Sequence, residues 1–172
     1  RYEDAQDMLI IMHEGQEVAR GTLATAEGRA AISNFFKTYM PDALRGEPQV
    51  LRAPDGFRFT DSRSGFVSLI NLASVADLEK RIGAPLDPLR FRGNIHVEGL
   101  EPWAEHDLVG KVLQGPTGLQ LEVIKRIERC AATSVDPVTG VRDLAVVKTL
   151  MKTYGHVDCG IYCRILAGGS VA

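Results

Sequence analysis

Hydrophobic positions change their spacing several times along the chain, and each change marks an element. In "DMLIIMHEGQEVARGTL" an apolar run from Met8 to Met12 and a second strand-like stretch flank Glu14-Gly15, which predicts a hairpin. From Ala31 the spacing lengthens. Ile32, Phe35, Phe36, Tyr39 and Met40 fall at i, i+3, i+4, i+7 and i+8 on one helix face, and Pro41 stops that helix. "QVLRAPDGFRFTD" predicts a second hairpin turning at Asp55-Gly56, and "FVSLINL" has the continuous apolarity of a buried strand.

Ser74 is placed to cap a short helix over "SVADLEKRI", where Val75, Leu78 and Ile82 share a face and Gly83 ends it. "LRFRGNIHVEG" is strand-like. It leads through "LEPWAEHD" to a strand in "LVGKVLQ", a Gly115-Pro116-Thr117-Gly118 turn and the alternating strand "LQLEVIKRI". Asp143 is placed to cap a helix bearing Leu144, Val147, Leu150, Met151 and Tyr154, after which "GHVDCGIYCRIL" returns as a strand. Many strands with helices scattered among them predict a β-rich α+β fold of barrel type. No repeat, low-complexity tract or linker divides the chain.

At 172 residues the chain can bury a sizeable core without disulfides. A net charge of -2 gives no sign of bulk nucleic-acid binding. The run Met8 to Met12 is far short of the ~20 residues of a membrane-spanning helix. Three cysteines, an odd number, argue for a reducing compartment, with cytoplasm the default. The first residue is Arg1 and not methionine, so that expectation stays provisional on any segment upstream.

The chemistry gathers at "RCAATSVDPVTGVRD". Arg129, with Arg126 and Lys125 before it, favours the thiolate of Cys130, the form that attacks electrophiles and binds soft metals. The loop that follows is small and turn-rich, suited to lining a pocket without filling it. On residue types alone, a buried inert thiol is an equally good reading of Cys130. Arg90 and Arg92, two apart on the predicted strand and followed by Asn94, would present guanidinium forks to a phosphate or carboxylate; salt-bridging to a nearby acid is the commoner use of such arginines. His106 reads as a surface residue. His156, Cys159 and Cys163 could join Cys130 in a Cys3His zinc site, but residues four apart on a strand are roughly 13 Å apart, and Cys163 reads better as core filler. Phosphate-loop, dinucleotide, HExxH, GxSxG and EF-hand patterns are absent, which removes the usual support for those enzyme classes.

Four blocks, "SLINLASVADLE", "DPLRFRGNIHVEGLEPWAEHDLVG", "RCAATSVDPVTGVRD" and "GHVDCGIYCRILAGG", resemble in order and spacing the MOSC domain family, named for the C-terminal domain of molybdenum cofactor sulfurases. Within it, the likeness is to bacterial MOSC proteins related to the mitochondrial amidoxime-reducing component. The resemblance implies a MOSC-type β-barrel with short peripheral helices over residues 66–172, preceded over 1–65 by the C-terminal part of a MOSC N-terminal β-barrel region. It also implies the molybdenum cofactor, a molybdopterin-bound metal. Cys130 would be the metal's thiolate ligand and the catalytic position; Arg92, Asn94 and Arg129 would hold the cofactor, and Gly160 would let backbone approach it. Gly93 stands where the family has a proline. The chain also starts inside the N-terminal portion and stops soon after "AGGS", where relatives continue into a final strand.

The activity so implied is reduction of small N-hydroxylated or N-oxide substrates. Electrons would come from a separate donor protein, because the chain has no iron–sulfur cysteine pattern. Two other readings use the same residues: a sulfur-carrier or cofactor-transfer domain with a persulfide on Cys130, and a metal-free member that binds a partner protein.

Overall fold

Residues 1–52, 54 and 64–170 are described by the computed structural model. Although the sequence shows no linker, the backbone forms two units, residues 1–58 and 59–172.

In the first unit β1 (Tyr2–Glu3), β2 (Met8–His13) and β3 (Gln16–Thr22) form an antiparallel sheet in that order. The hairpin between β2 and β3 turns at Glu14 and Gly15, both with positive φ (49° and 77°), the backbone a two-residue turn of this hand demands. Helix α1 (Ala26–Tyr39) starts earlier than the apolar spacing predicts, because Thr25 caps it: its Oγ1 accepts from the Gly28 N–H at 3.1 Å. Of the five predicted face residues only Ile32 is fully buried; Tyr39 and Met40 are exposed, and Met40 lies beyond the helix end. Glycines let α1 and β3 touch through their backbones, since a Cβ on Gly28 would run into the Thr22 carbonyl and one on Gly21 into the Gly28 carbonyl. The hairpin predicted at Asp55-Gly56 lies outside the described residues, and residues 49–52 before it are not a strand.

The second unit is built on a five-stranded sheet from β4 (Val67–Asn71), β5 (Ile95–Val97), β6 (Val112–Gln114), β7 (Gln120–Glu128) and β8 (Asp158–Ala167), in the order β5-β4-β8-β7-β6. Only β4 and β5 run parallel. Helices α2 (Leu72–Ile82) and α3 (Val146–Tyr154) complete it. The successive residues Leu69 and Ile70 belong to different core clusters, Leu69 with Leu121, Val123 and Ile161, and Ile70 with Leu78, Phe91 and Leu150. Burial on both sides of β4 explains why its sequence is continuously apolar. The β-rich α+β class that the sequence predicts is observed, with the five-stranded sheet curled into a half-barrel. Among the described residues no helix is long and apolar enough to cross a membrane.

Three local expectations are corrected. Asn71 caps α2, its Oδ1 accepting from the Ala73 N–H at 3.0 Å, because β4 passes directly into the helix; Ser74 is buried inside it and donates to Glu105 at 2.8 Å. Asp143 does not cap α3, which begins at Val146. "LRFRGNIHVEG" is not one strand. Asp87 caps a short 3-10 turn, Pro88–Phe91, with proline at its start, and only Ile95–Val97 is extended.

Candidate functional site

A cleft of about 440 Å³ opens in the second unit. One wall begins where β7 ends. Arg129 remains tied to the neighbouring chain through its N–H, which donates to the Val157 carbonyl at 3.0 Å. Cys130 then leaves the sheet, and its carbonyl accepts from the N–H and the hydroxyl of Thr133 at 3.2 and 3.0 Å. This fixes the backbone of Cys130 while its thiol is exposed at the cleft. The buried-thiol reading therefore falls for Cys130, whereas Cys163, read as core filler, is fully buried, as is Cys159.

Arg129 reaches back across the cleft floor. Its Nε donates to the Cys159 carbonyl at 2.7 Å and its Nη1 to the Phe91 carbonyl at 2.9 Å, with the guanidinium 5.3 Å from the Phe91 ring centre. Nη2 is buried and has no hydrogen-bond partner among the described residues. Burial lowers the Arg129 pKa, but arginine's ordinary value is high enough for it to stay cationic at neutral pH. Gly160, with φ 82°, is buried behind this side chain and is not among the residues lining the cleft. A Cβ there would sit 2.6 Å from the Leu69 carbonyl oxygen and 3.2 Å from Arg129 Nη2, so the glycine makes room for the arginine.

The two arginines predicted to share a strand face part company in the 3-10 turn. Arg90 is buried: its guanidinium grips Asp143 through two bonds of 2.7 Å and reaches Asp136 at 3.2 Å. Arg92, with φ 51°, is exposed on the cleft and forms no ion pair among the described residues. Asn94 holds Ser68, its Oδ1 accepting from the Ser68 N–H and hydroxyl at 2.9 and 2.8 Å. With its carbonyl end so engaged, the amide NH2 is what Asn94 has left to offer a ligand. Gly93 packs so closely that a Cβ would run into Ile70.

Arg90 thus pins the loop after Cys130 to the opposite wall. Asp136 also accepts from the N–H groups of Val138 and Thr139 at 3.0 and 2.7 Å, which rounds the loop into a turn. The Arg90 guanidinium holds the Asp143 carboxyl below the usual range. A carboxyl lowered by folding stabilises above its unfolded pKa, about 3.9, and that contribution is lost as pH falls through the lower folded value. Thermal melts from pH 6 down to pH 2 should therefore show a falling melting temperature below about pH 4, and Asp143→Asn should flatten that fall. An unchanged acid limb in Asp143→Asn would show that this carboxyl contributes nothing to it.

The zinc site does not form. Among the described residues no three His, Cys, Asp or Glu side chains are grouped to hold a metal ion, and Cys159 and Cys163 lie in separate core clusters. Burial pushes their thiols up to about 12 and about 11, far from thiolate. His106 is buried rather than on the surface, packed against Trp103 and His156 at ring-centre distances of 5.8 and 5.5 Å. Burial lowers its pKa, so it is neutral at pH 7.

Sequence reasoning missed an aromatic shelf in the cleft. Phe66 and Tyr162 stack at 5.5 Å between ring centres, and Lys125 Nζ lies 5.7 Å from the Tyr162 ring centre. The available signal was Tyr162 itself, a polar-tipped ring between Ile161 and Cys163 in an otherwise buried strand segment.

Comparison with known proteins gives a consistent result. The model of the MOSC domain family matches residues 57–172. Molybdenum cofactor sulfurase of Caenorhabditis elegans is 34% identical over 156 residues, covering 86% of this chain and 20% of that protein. Mitochondrial amidoxime-reducing component 1 of Mus musculus is 31% identical over 145 residues, covering 84% of this chain and 41% of that protein. The chain thus spans less than half the length of these relatives. A solved structure, the YUAD protein from Bacillus subtilis, superposes with a TM-score of 0.44 at 16% identity, over 61% of this chain and 58% of that one.

Proposed function

The chain belongs to the MOSC domain family, and from that footing we propose that its cleft binds the molybdenum cofactor through Cys130 and that the loaded protein is an oxidoreductase for N-hydroxylated or N-oxide small molecules. One observation carries the reading: an exposed thiol lines the same cleft as Arg92, which forms no ion pair among the described residues, and Arg129, whose buried Nη2 has no hydrogen-bond partner among them. A phosphate-bearing pterin with a thiolate-ligated metal suits that donor set. The names of the two relatives connect the family to this cofactor and to amidoxime reduction.

Each residue then has a role. Cys130 ligates the metal, Arg92 and Arg129 meet the phosphate, and the Asn94 amide donates to the pterin. Gly160 acts through Arg129 by leaving it space, and Arg90 holds the loop that carries Cys130. When bound, the cofactor supplies the two-electron redox chemistry. Reduction of an amidoxime takes two electrons and two protons, breaks the N–O bond and releases an amidine and water; a separate donor protein supplies the electrons. Residues 1–65 are assigned to the N-terminal barrel region of such proteins, and the cytoplasm is the compartment that suits three free cysteines.

The exposed Cys130 thiol and the sulfurase relatives favour one other reading, a sulfur carrier with a persulfide on Cys130. Both are tested by measuring molybdenum, pterin and cyanide-labile sulfur per chain in protein made by a host that synthesises the cofactor. Stoichiometric molybdenum and pterin support the oxidoreductase. Labile sulfur without metal supports the carrier, and neither product overturns both.

A further inference from the structure

A bulge in β7 decides which face of the sheet one of its cations takes. Val123 pairs with Cys163 and Lys125 with Tyr162, so β7 advances two residues where β8 advances one, and Ile124 is the extra residue. In an unbroken strand Lys125 would follow the buried Val123 onto the core face; the extra residue turns it to the other. There it lies beside Tyr162, its Nζ 5.7 Å from the ring centre, while Ser68 on β4 is the neighbour of Tyr162 on the other side. Ser68, Tyr162 and Lys125 thus form a row across three strands, about 10 Å from end to end. Ser68 and Tyr162 line the cleft, and Phe66, which also lines it, stacks on Tyr162.

Lys125 is exposed and has no ion pair or hydrogen bond among the described residues. Neither acid near it on β7 neutralises it: Glu122 accepts from Arg164 Nε at 3.0 Å, and Glu128 stands opposite Asp158 and makes no ion pair with Lys125. A flat group resting on the ring pair therefore meets, at its edge, a cation separate from Arg92 and Arg129. We propose that Lys125 is a specificity-determining residue that directs the cleft to aromatic substrates carrying an acidic group: the Phe66–Tyr162 pair receives the ring, and the Lys125 ammonium receives its carboxylate. This rests on the oxidoreductase reading, in which the N–O group of the same molecule meets the Cys130 end. It narrows that reading from N-hydroxylated or N-oxide molecules in general to those with an anionic aryl body.

The test is equilibrium binding by calorimetry to the full chain, purified from a cofactor-producing host, with molybdenum content measured on the same samples. The probes are para-carboxybenzamidoxime, an anion at neutral pH, and para-carbamoylbenzamidoxime, its neutral isostere. At low ionic strength wild type should bind the acid about fivefold more tightly than the amide, the scale of one exposed ion pair, and added salt should shrink the difference. Lys125→Gln should erase the preference and leave amide affinity unchanged, Lys125→Arg should keep it, and Phe66→Leu should weaken both probes together. Absence of a preference in wild type overturns the proposal, and so does its survival in Lys125→Gln, which would hand the carboxylate to the arginines. Molybdenum content separates this from the fate of the cofactor reading. A Lys125-dependent preference in metal-free protein supports the recognition role while the oxidoreductase reading fails, and a loaded protein that ignores charge does the reverse.

Discussion

Cys130→Ser is expected to abolish molybdenum retention while leaving stability within about 0.5 kcal/mol of wild type, because the side chain is exposed and its backbone, not its sulfur, anchors the turn that follows. A serine hydroxyl is a poor substitute for a soft thiolate. Cys163→Ser should do the opposite. That residue is fully buried among Leu69, Leu121, Val123 and Ile161, and a hydroxyl placed there without a partner costs about 1–3 kcal/mol. Metal content by elemental analysis and urea unfolding of both variants give the two readouts. Equal molybdenum in the two would remove Cys130 from its assigned role.

Gly160→Ala should be among the most damaging single-methyl changes in the second unit. Two costs combine: a side chain at φ 82°, about 1–2 kcal/mol, and a Cβ forced to 2.6 Å from the Leu69 carbonyl oxygen, about 1–3 kcal/mol. Gly15 supplies the control. Its φ of 77° carries the same backbone cost, but nothing lies within 4 Å of a Cβ built there. Gly160→Ala should therefore lose clearly more stability than Gly15→Ala, and it alone should release bound molybdenum, because the added methyl displaces Arg129. Equal losses at the two glycines would mean that the close approach of β8 to β4 has no energetic weight.

How far the sequence was legible follows the range of the interactions. The hairpin at Glu14-Gly15 and the buried strand β4 were readable because turn chemistry and apolarity act locally. The caps were not. Asn71, Ser74 and Asp143 are all good capping residues, and what sorted them was a partner far along the chain: Glu105 for Ser74 and Arg90 for Asp143. Arg90 and Arg92 look equivalent two residues apart, yet one is consumed by ion pairs to distant aspartates and the other forms none among the described residues. Cys130 stood out through its neighbours and the family resemblance. Phe66 had no local signal, because only the fold brings it to the same cleft as Tyr162.

The Arg90–Asp143 fork spans 53 residues of chain. Topologically it is a cross-link, closing a long loop as a disulfide would and restricting the conformations open to the segment between, provided the pair is formed. Unlike a disulfide, it is indifferent to thiols and to redox poise. A cleft whose walls are joined by charge can keep its shape under the reducing conditions in which electron donors operate, and it yields instead to acid.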